Sequence, residues 1–248
     1  MKTYGLIGYP LEHSFSQRYF TEKFEKEDIN ARYLNFPISS IEDFPELFTH
    51  HPYLAGLNVT IPYKEQVFKY LDDINPVAEK IGAVNVIKIT WNNLNYKLKG
   101  YNSDIVGFRA SLFPLLTIDH KKALVLGTGG ASKAVAEALN LLNIDFKYVS
   151  RSPKGSGIIA YEDLNEEIVA EYKLIINTTP LGMYPNVDNC PDIPYDAITP
   201  GHLLYDLVYN PEETLFLKKG REKGAKTKNG LEMLYLQAEE AWRIWNEK

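Results

Sequence analysis

Residues 124–132 read LVLGTGGAS, an apolar run followed directly by a glycine-rich turn. The apolar run is typical of a buried strand, and residues 133–142 after the turn have the apolar spacing of a helix. Such a turn can present backbone N–H groups and the positive end of a helix dipole to a pyrophosphate. The stretch therefore predicts a dinucleotide-binding site, although an ordinary strand-to-helix turn would leave the same pattern.

The residues of this turn have distinct predicted roles. Gly127 allows the tight turn, and Gly129 lets the backbone approach a phosphate. Ser132 stands where the third glycine of the pattern is usual, and it is small enough for the helix to pack closely. The predicted cofactor-binding residues of the turn are Gly127, Thr128, Gly129, Gly130, Ala131 and Ser132.

The next predicted strand, residues 145–149, is followed by a positively charged residue, Arg151. An NAD-selective site usually offers a carboxylate to the ribose at this point, whereas this chain has Arg151. A guanidinium could bind a 2′-phosphate and stack on adenine, with further donors from Ser150, Ser152 and Lys154. The segment therefore favours NADP, and the alternative is a solvated arginine in a turn.

A third segment follows the strand predicted at residues 173–176. Ligands in such folds bind at loops that follow the carboxyl ends of parallel strands. Thr178 and Met183 lie in this loop and could contact the cofactor. By itself the sequence shows only a polar turn there.

Strand and helix patterns alternate along the rest of the chain. The first half predicts strand and helix pairs at residues 3–8 and 14–27, 31–36 and 41–48, and 56–60 and 63–70. A helix beginning at Asn75-Pro76 and ending at Gly82 follows, then a strand at 84–90, a hairpin turn at 91–94 and a strand at 96–101. This alternation predicts an α/β fold with a mainly parallel sheet.

A helix predicted from Ser103 or Asp104 connects this half to a second alternating series, which opens with a strand at 123–126. Its apolar positions recur at three- and four-residue intervals at Ile105, Phe108, Leu112 and Leu116. We place the main boundary near Asn102. The chain closes with a helical stripe too apolar for a free tail, formed by Leu231, Leu234, Ala238, Ala241 and Trp245.

Composition narrows the class of protein. The 248 residues suffice for one large domain or two modest ones, and 45% apolar and 24% charged residues are typical of a globular chain. A formal net charge of −5 gives no basic surface for nucleic acid. Apolar stretches are too short for a signal peptide or membrane span, and the histidines show no metal-ligand spacing. We expect a cytoplasmic protein with no nucleic-acid, membrane or metal partner.

Nicotinamide chemistry needs a group that exchanges a proton with the substrate hydroxyl. Lys64, in the run NVTIPYK at 58–64, is predicted in the first turn of a helix and alone would be a surface lysine. Asp104 begins the connecting helix, where an acid also complements the helix dipole. Each residue alone therefore has an ordinary structural explanation.

Together, these segments resemble the shikimate dehydrogenase family. The matching segments, in family order over nearly the whole chain, are SFS at 14–16, NVTIPYK at 58–64, GAVN at 82–85, GYNSD at 100–104, GTGGAS at 127–132 and GLEMLYLQA at 230–238. The resemblance implies NADPH-dependent, reversible reduction of 3-dehydroshikimate to shikimate, in the route to aromatic amino acids.

The resemblance also implies roles for individual residues. Lys64 and Asp104 would be the catalytic pair, Lys64 delivering the proton and Asp104 orienting it. The substrate-binding residues would be Ser14 and Ser16 at the carboxylate, Thr60, Asn85, Asp104 and Gln237 at the ring hydroxyls, and Tyr209 close to the cofactor. Gly230 would bind the cofactor. Ser14 and Ser16 alone also fit helix capping.

The implied architecture has two domains. A substrate domain of residues 1–101 would carry a returning helix, 231–248, and a Rossmann-type NADP-binding domain would span 102–230. The implied partner is a small-molecule substrate, and the protein would be a monomer or homodimer. Departures from the family pattern are Gln17 for a frequent proline, Ser103 for threonine and Ser150 for the asparagine that commonly precedes the arginine. Only Ser150 bears on cofactor choice.

Two alternatives stay open. The chain could be a quinate/shikimate dehydrogenase that uses NAD, or a catalytically silent sensor that binds NADP. The presence of both Lys64 and Asp104 argues against the sensor. A basic stretch at residues 218–228 could bind an anionic partner, or it could be a solvated helix face and loop.

Overall fold

The structure is a computed structural model that describes residues 1–11, 14–93, 95–153 and 157–247. Its contacts divide the chain into two compact units. Unit 1 comprises Met1–Ser103 and Ala238–Lys248, and unit 2 comprises Asp104–Gln237. The breaks after Ser103 and after Gln237 stand beside the domain limits predicted from the sequence, 1–101 with 231–248 and 102–230.

Unit 1 contains a mixed six-stranded sheet. Its strands are β1 (Lys2–Gly8), β2 (Ala31–Pro37), β3 (Leu54–Val59), β4 (Asp73–Ile74), β5 (Val86–Asn92) and β6 (Asn95–Tyr101). They lie in the order β2-β1-β3-β5-β6-β4. β1 pairs in parallel with β2 and β3, and β6 with β4, whereas β5 is antiparallel to both its neighbours. The predicted hairpin is therefore confirmed, except that Leu94 in its turn lies outside the described residues.

Two helices of unit 1 begin after residues that cap their first turns, and one of them ends at a glycine. α1 (Phe15–Lys26) starts after Ser14, whose hydroxyl accepts from Gln17 N. α3 (Pro76–Ile81) starts after Asn75, which caps Val77 N, and ends at Gly82 with φ +71°. A short α2 (Glu46–His50) lies between them in the chain.

Apolar residues cover both faces of this sheet. Alternate residues of β1 point to opposite faces, so Ile7 joins one cluster with Leu57 and Ile87. Tyr4 joins the other with Phe20 of α1 and with Trp245. The indole of Trp245 donates to Ile87 O at 3.1 Å, which fastens the last helix to unit 1.

Unit 2 contains an all-parallel six-stranded sheet. Its strands are β7 (Lys122–Leu126), β8 (Asp145–Ser150), β9 (Ile158–Ala160), β10 (Leu174–Asn177), β11 (Leu203–Asp206) and β12 (Lys226–Lys228), in the order β9-β8-β7-β10-β11-β12. Its helices are α4 (Asp104–Leu112), α5 (Gly130–Leu141), α6 (Glu166–Glu171) and α7 (Leu215–Glu222). The strand order reverses between β7 and β10, the place where doubly wound sheets bind ligands. The predicted Rossmann-type α/β fold is confirmed.

Three predicted helices differ from the structure. The helix predicted at 41–48 is a 3₁₀ turn, Ile41–Asp43, followed by α2, because Pro45 supplies no N–H for a continuous helix. The helix predicted at 63–70 is a 3₁₀ segment, Gln66–Tyr70, so Lys64 lies in the turn before it and not in a first helical turn. The connecting helix ends at Leu112 and continues only as the 3₁₀ turn Phe113–Leu115, which leaves Leu116 outside it.

The last helix, α8 (Leu231–Asn246), has a different buried face from the predicted stripe. Leu231 is exposed, whereas Met233 and Gln237 are buried in the same two turns. From Ala238 onward the predicted stripe is correct, since Ala238, Ala241 and Trp245 are all buried. No helix among the described residues has the length and apolar character required to cross a membrane.

Candidate functional site

Two of the predicted substrate residues of unit 1, Thr60 and Asn85, lie at one edge of its sheet. Val86 at the start of β5 pairs with Asn58 near the end of β3 and with Tyr101 at the end of β6. Thr60, Asn85 and Ser103 are therefore the residues just past these strand ends. The folding of three strands thus brings together positions that are far apart in sequence.

Asn85 is the centre of this edge. It is 3% exposed, and its Nδ2 donates to Ser103 Oγ at 3.0 Å while its Oδ1 accepts from Ser103 N at 2.6 Å. Its own N and O bond to Tyr101 O at 3.0 Å and Val59 N at 2.9 Å. These bonds fix Ser103, which directly precedes Asp104 in the chain.

Lys64 is held to the same edge through its backbone. Lys64 O accepts from Val84 N at 2.8 Å, one residue before Asn85, and Tyr63 N donates to Thr60 O at 2.9 Å. Tyr63 is buried, and its hydroxyl donates to Ile38 O at 2.6 Å, which holds the turn at residues 60–64 in place. The Lys64 side chain is half-buried, unlike the surface lysine that the segment alone suggested.

Ser14 and Ser16 both have partners within unit 1. Ser14 Oγ accepts from Gln17 N at 3.2 Å, so the helix-capping interpretation of Ser14 is correct. Burial raises the pKa of Tyr33 well above its usual value, and the Ser16 hydroxyl lowers that pKa by less. A hydroxyl that accepts a capping bond still has its proton to donate, so capping does not exclude carboxylate binding.

A chain of hydrogen bonds leads from Tyr33 to Asn85. Tyr33 Oη donates to Asn58 Oδ1 at 2.8 Å, and Asn58 Nδ2 donates to Asn85 O at 3.4 Å. Tyr33, Asn58, Asn85 and Ser103 therefore form one connected polar network, which passes through the backbone carbonyl of Asn85. Such a network fixes the orientation of each member.

The glycine-rich turn of unit 2 has the geometry a pyrophosphate needs. Gly127 has φ +105°, and a Cβ there would lie 2.9 Å from Thr178 Oγ1. A Cβ added at Gly129 or Gly130 would meet nothing within 4 Å, so open space lies in front of the backbone at the start of α5. With Thr128 and Ala131 completing the turn, these residues fit a dinucleotide phosphate at a helix N-terminus.

Two hydroxyls of this region are used to shape the turn. Ser132 is 1% exposed, and its Oγ donates to Gly129 O at 2.7 Å. Thr178 Oγ1 donates to Leu126 O at 2.7 Å, which ties the loop after β10 to the end of β7. Ser132 therefore fills the place of the third glycine by packing inward.

The residues predicted to select the cofactor follow β8. Arg151 is exposed, and Ser150 Oγ accepts from Ser152 N at 3.2 Å in a tight turn. The guanidinium lowers the pKa of Tyr161, which burial raises to about 12. Lys154, the further donor predicted here, lies outside the described residues. An exposed cation beside the dinucleotide turn fits a 2′-phosphate.

Three further predicted residues lie on loops of unit 2. Met183 and Tyr209 have exposed side chains, at 48% and 38%. Gly230 N donates to Val208 O at 3.2 Å, and a Cβ at Gly230 would lie 2.1 Å from Leu207 O. Gly230 is thus required where the chain passes close to the end of β11.

Gly107 is a residue the sequence reasoning missed. A Cβ there would lie 2.6 Å from Met233 O and 3.0 Å from Gln237 N, so α4 and the start of α8 pack backbone to backbone. Asp104 is one helical turn before Gly107, which places Asp104 and the buried Gln237 on adjoining elements of unit 2. A glycine inside a helical pattern was the available signal.

The pairing of Lys64 with Asp104 stays a prediction, since Lys64 belongs to unit 1 and Asp104 opens unit 2. In the basic stretch, by contrast, several cations have partners. Arg221 pairs with Glu213 and Lys223 with Asp196, each at 2.6 Å, and Lys228 pairs with Glu232. These ion pairs favour a solvated face over a binding surface for an anionic partner. Among the described residues no group of three or more metal-ligating side chains could hold a metal ion.

Comparison with known sequences gives a consistent result. Residues 6–87 match the family model described as the shikimate dehydrogenase substrate binding domain. The chain is similar to the shikimate dehydrogenase (NADP(+)) of Methanococcus aeolicus, 40% identical over 260 residues that cover 98% of this chain and 91% of the relative. It is 36% identical to the enzyme of the same name from Desulforamulus reducens, over 97% and 88% of the two chains.

Comparison with solved structures points to the same family. The chorismate mutase/shikimate 5-dehydrogenase fusion protein of Clostridium acetobutylicum superposes with a TM-score of 0.86 and 36% identity, covering 100% of this chain and 92% of that one. The shikimate 5-dehydrogenase of Thermus thermophilus, in complex with NADP(H) and shikimate, gives a TM-score of 0.85 and 30% identity over 100% and 94%. Both units of the fold described above therefore have counterparts in these proteins.

Proposed function

The chain belongs to the shikimate dehydrogenase family, and we propose that it catalyses the reversible, NADPH-dependent reduction of 3-dehydroshikimate to shikimate. The observation that carries the proposal is the 40% identity to a shikimate dehydrogenase (NADP(+)) over nearly the whole of both chains. The two strand edges described above supply the local chemistry. One offers a network of polar side chains, and the other offers a glycine-rich backbone.

The NADP site would be formed by unit 2. When bound, NADPH supplies the hydride for the substrate carbonyl. Backbone N–H groups from Gly129 to Ala131 would bind the pyrophosphate, and Arg151 would bind the 2′-phosphate with Ser150 and Ser152. The likeness to the Thermus thermophilus complex with NADP(H) supports this assignment.

Lys64 is the proposed proton donor. As an ammonium it would polarise the substrate carbonyl and deliver the proton to the oxygen. Asp104 would accept a hydrogen bond from a ring hydroxyl and orient Lys64. The bond from Val84 N to Lys64 O supports the role of Lys64, since it fixes the backbone from which the amine extends.

The remaining polar residues would orient the substrate. Ser14 and Ser16 would donate to its carboxylate, while Thr60, Asn85 and Gln237 would hold its hydroxyls, with Tyr209 next to the cofactor. The hydrogen-bond chain through Tyr33 and Asn58 supports this proposal because it keeps the groups of unit 1 in a fixed relation.

The proposal is tested by mixing the purified protein with shikimate and NADP and following the absorbance of NADPH. We expect turnover with this pair and a lower kcat/KM with NAD or with quinate. A higher kcat/KM for quinate with NAD would identify the quinate/shikimate dehydrogenase alternative. Nucleotide binding without turnover on any of these substrates would identify the sensor and contradict the proposal.

The proposal includes a cytoplasmic protein that is a monomer or homodimer and acts on a small molecule, without nucleic-acid or membrane partners. Light scattering of the purified protein measures the oligomeric state directly. Assay of fractionated cells tests the location.

A further inference from the structure

A buried carboxylate lies at the carboxyl end of β11, outside the catalytic roles assigned above. Asp206 is the last residue of β11 and has no exposed surface. Its Oδ1 accepts from Asn177 Nδ2 and from Val208 N, both at 3.0 Å, and its Oδ2 accepts from Thr214 Oγ1 at 2.6 Å. Three donors from two segments, the end of β10 and the loop after β11, thus converge on one side chain.

The network extends into the loop that follows β10. Asn177 is also fully buried, and its Oδ1 accepts from Thr179 N at 3.0 Å and Thr179 Oγ1 at 2.6 Å. Thr179 Oγ1 in turn accepts from Leu181 N at 3.3 Å. The shape of residues 177–181 is therefore determined by side-chain hydrogen bonds that begin at Asp206.

The loop after β11 depends on the same carboxylate. Asp206 binds Val208 N and Thr214, the residue that caps α7 through Leu217 N. Val208 O accepts from Gly230 N, so the segment that leads into α8 is attached to this loop as well. Asp206 therefore bonds directly to two of these segments and reaches the third through Val208.

These are the segments on which the proposed cofactor residues lie. Thr178 and Met183 lie on the loop after β10 and Gly230 on the third segment, while the loop after β11 carries Tyr209, the predicted substrate residue next to the cofactor. We infer that Asp206 is a positioning residue that holds these segments in the arrangement that binds NADP(H), an inference that rests on the proposed function. It acts through Asn177, Val208 and Thr214 and touches neither cofactor nor substrate.

The balance between burial and hydrogen bonding explains why a carboxylate occupies position 206. Burial raises the pKa of Asp206 to about 6, and its hydrogen bonds to Thr214, Val208 and Asn177 lower the pKa by less. A carboxylate with two oxygens can accept from all three donors, whereas an apolar side chain would leave buried donors unpaired. The cost of burying the charge is offset only while the three segments stay together.

The test compares four variants of the full-length protein. Asp206→Ala and Thr214→Val remove the acceptor or one donor, and Asp206→Asn keeps the shape and most of the hydrogen bonds. Tyr205→Phe is the matched control, because it removes a buried hydrogen bond of 2.7 Å to Ser111 from the neighbouring residue of the same strand. The measurements are the Kd of NADPH by fluorescence, the KM values of NADP and shikimate, and the Tm.

We expect Asp206→Ala to raise the Kd of NADPH and the KM of NADP by about tenfold or more, because misplacing ligand-binding loops is costly. The KM of shikimate should change by less than about twofold, Asp206→Asn should bind NADPH within about threefold of the parent, and Tyr205→Phe should lower only the Tm. Should Asp206→Ala fail to fold, Thr214→Val decides, with an expected rise of about threefold in the same Kd.

An unchanged Kd in Asp206→Ala, or in Thr214→Val where that variant decides, overturns the inference. So does an equal loss in Asp206→Asn, or a rise in Tyr205→Phe as large as that in Asp206→Ala. Because NADPH binding is measured without turnover, failure of the proposed reaction is separable. A parent protein that binds NADPH but does not oxidise shikimate would contradict the function and leave this test intact.

Discussion

The edge of the unit 1 sheet around Asn85 and the end of β7 in unit 2 are built in opposite ways. At the edge in unit 1, buried polar side chains bond to one another or to side chains within the sheet, with Asn85 bound to Ser103 and Asn58 to Tyr33. At the edge in unit 2, the end of β7 leads into glycines, and a Cβ at Gly129 would meet open space. One edge presents side-chain groups in fixed directions, and the other presents backbone.

This difference matches the two proposed ligands. A ring with several hydroxyls is distinguished from its analogues by individual donors and acceptors, which only side chains can place one by one. A pyrophosphate has the same shape in every dinucleotide, so repeated backbone N–H groups at a helix start suffice. The comparison predicts that the polar edge of unit 1 is sensitive to loss of side-chain atoms and that the glycine-rich turn of unit 2 is sensitive to their addition.

The largest expected effect is at the side-chain edge. Lys64→Ala should lower kcat by about 10² to 10⁴-fold, because the proposed general acid is removed, while the KM of shikimate changes little. The measurement is steady-state kinetics in both directions. An unchanged kcat would contradict the assigned role.

Lys69→Ala is the control for this variant. Lys69 is five positions further along the same segment, is exposed and pairs with Glu42 at 2.9 Å. Exposed ion pairs contribute little to stability, so kcat and Tm should both stay close to those of the parent.

A smaller effect is expected when an atom is added at the backbone edge. Gly127→Ala places a Cβ 2.9 Å from Thr178 Oγ1 at a φ of +105°, which an L side chain adopts only with strain. We expect the KM of NADP to rise by about tenfold or more, with the KM of shikimate nearly unchanged.

Gly224→Ala is the matched control in the same unit. Gly224 also has a positive φ, +82°, and a Cβ there would lie 3.1 Å from Pro200 Cγ, away from the glycine-rich turn. It should lower the Tm without changing either KM. Equal effects of the two variants on the KM of NADP would show that backbone strain in general, and not the turn, is responsible.

The smallest effect concerns Arg151, the exposed cation predicted to select the cofactor. Arg151→Ala should raise the KM of NADP by several-fold, up to about tenfold, and leave the KM of NAD unchanged, because only NADP has the 2′-phosphate. Arg109→Ala, at another exposed arginine of unit 2, should change neither. A parallel rise for NAD would contradict the role of Arg151.

Much of the fold could be predicted because its signals are local. The cap at Asn75, the stop at Gly82 and the glycine turn at residues 127–130 each determine structure within a few residues. The two-residue strand β4 carried no such signal, since Asp73–Ile74 is a strand only through its pairing with Lys99 and Gly100. The 3₁₀ segment at Gln66–Tyr70 was mistaken for an α-helix because the two share nearly the same apolar spacing.

The candidate site was predictable in its residue types but not in its connections. The family segments pointed to Asn85 and Lys64, yet nothing in them showed that Asn85 binds Ser103 or that Lys64 O accepts from Val84 N. Asp206 and Gly107 were missed for the same reason. Asp206 bonds to Asn177 on another strand, and Gly107 packs against Met233 and Gln237 of another helix.

The helix α8 has a consequence for how the protein is made. Residues from Ala238 onward complete unit 1, and Trp245 covers Tyr4 and Phe20 near the beginning of the chain. During translation the amino-terminal strands leave the ribosome long before this indole does. Nascent chains therefore carry an uncovered aromatic surface until Trp245 has emerged, and binding by a chaperone at that stage would guard against aggregation.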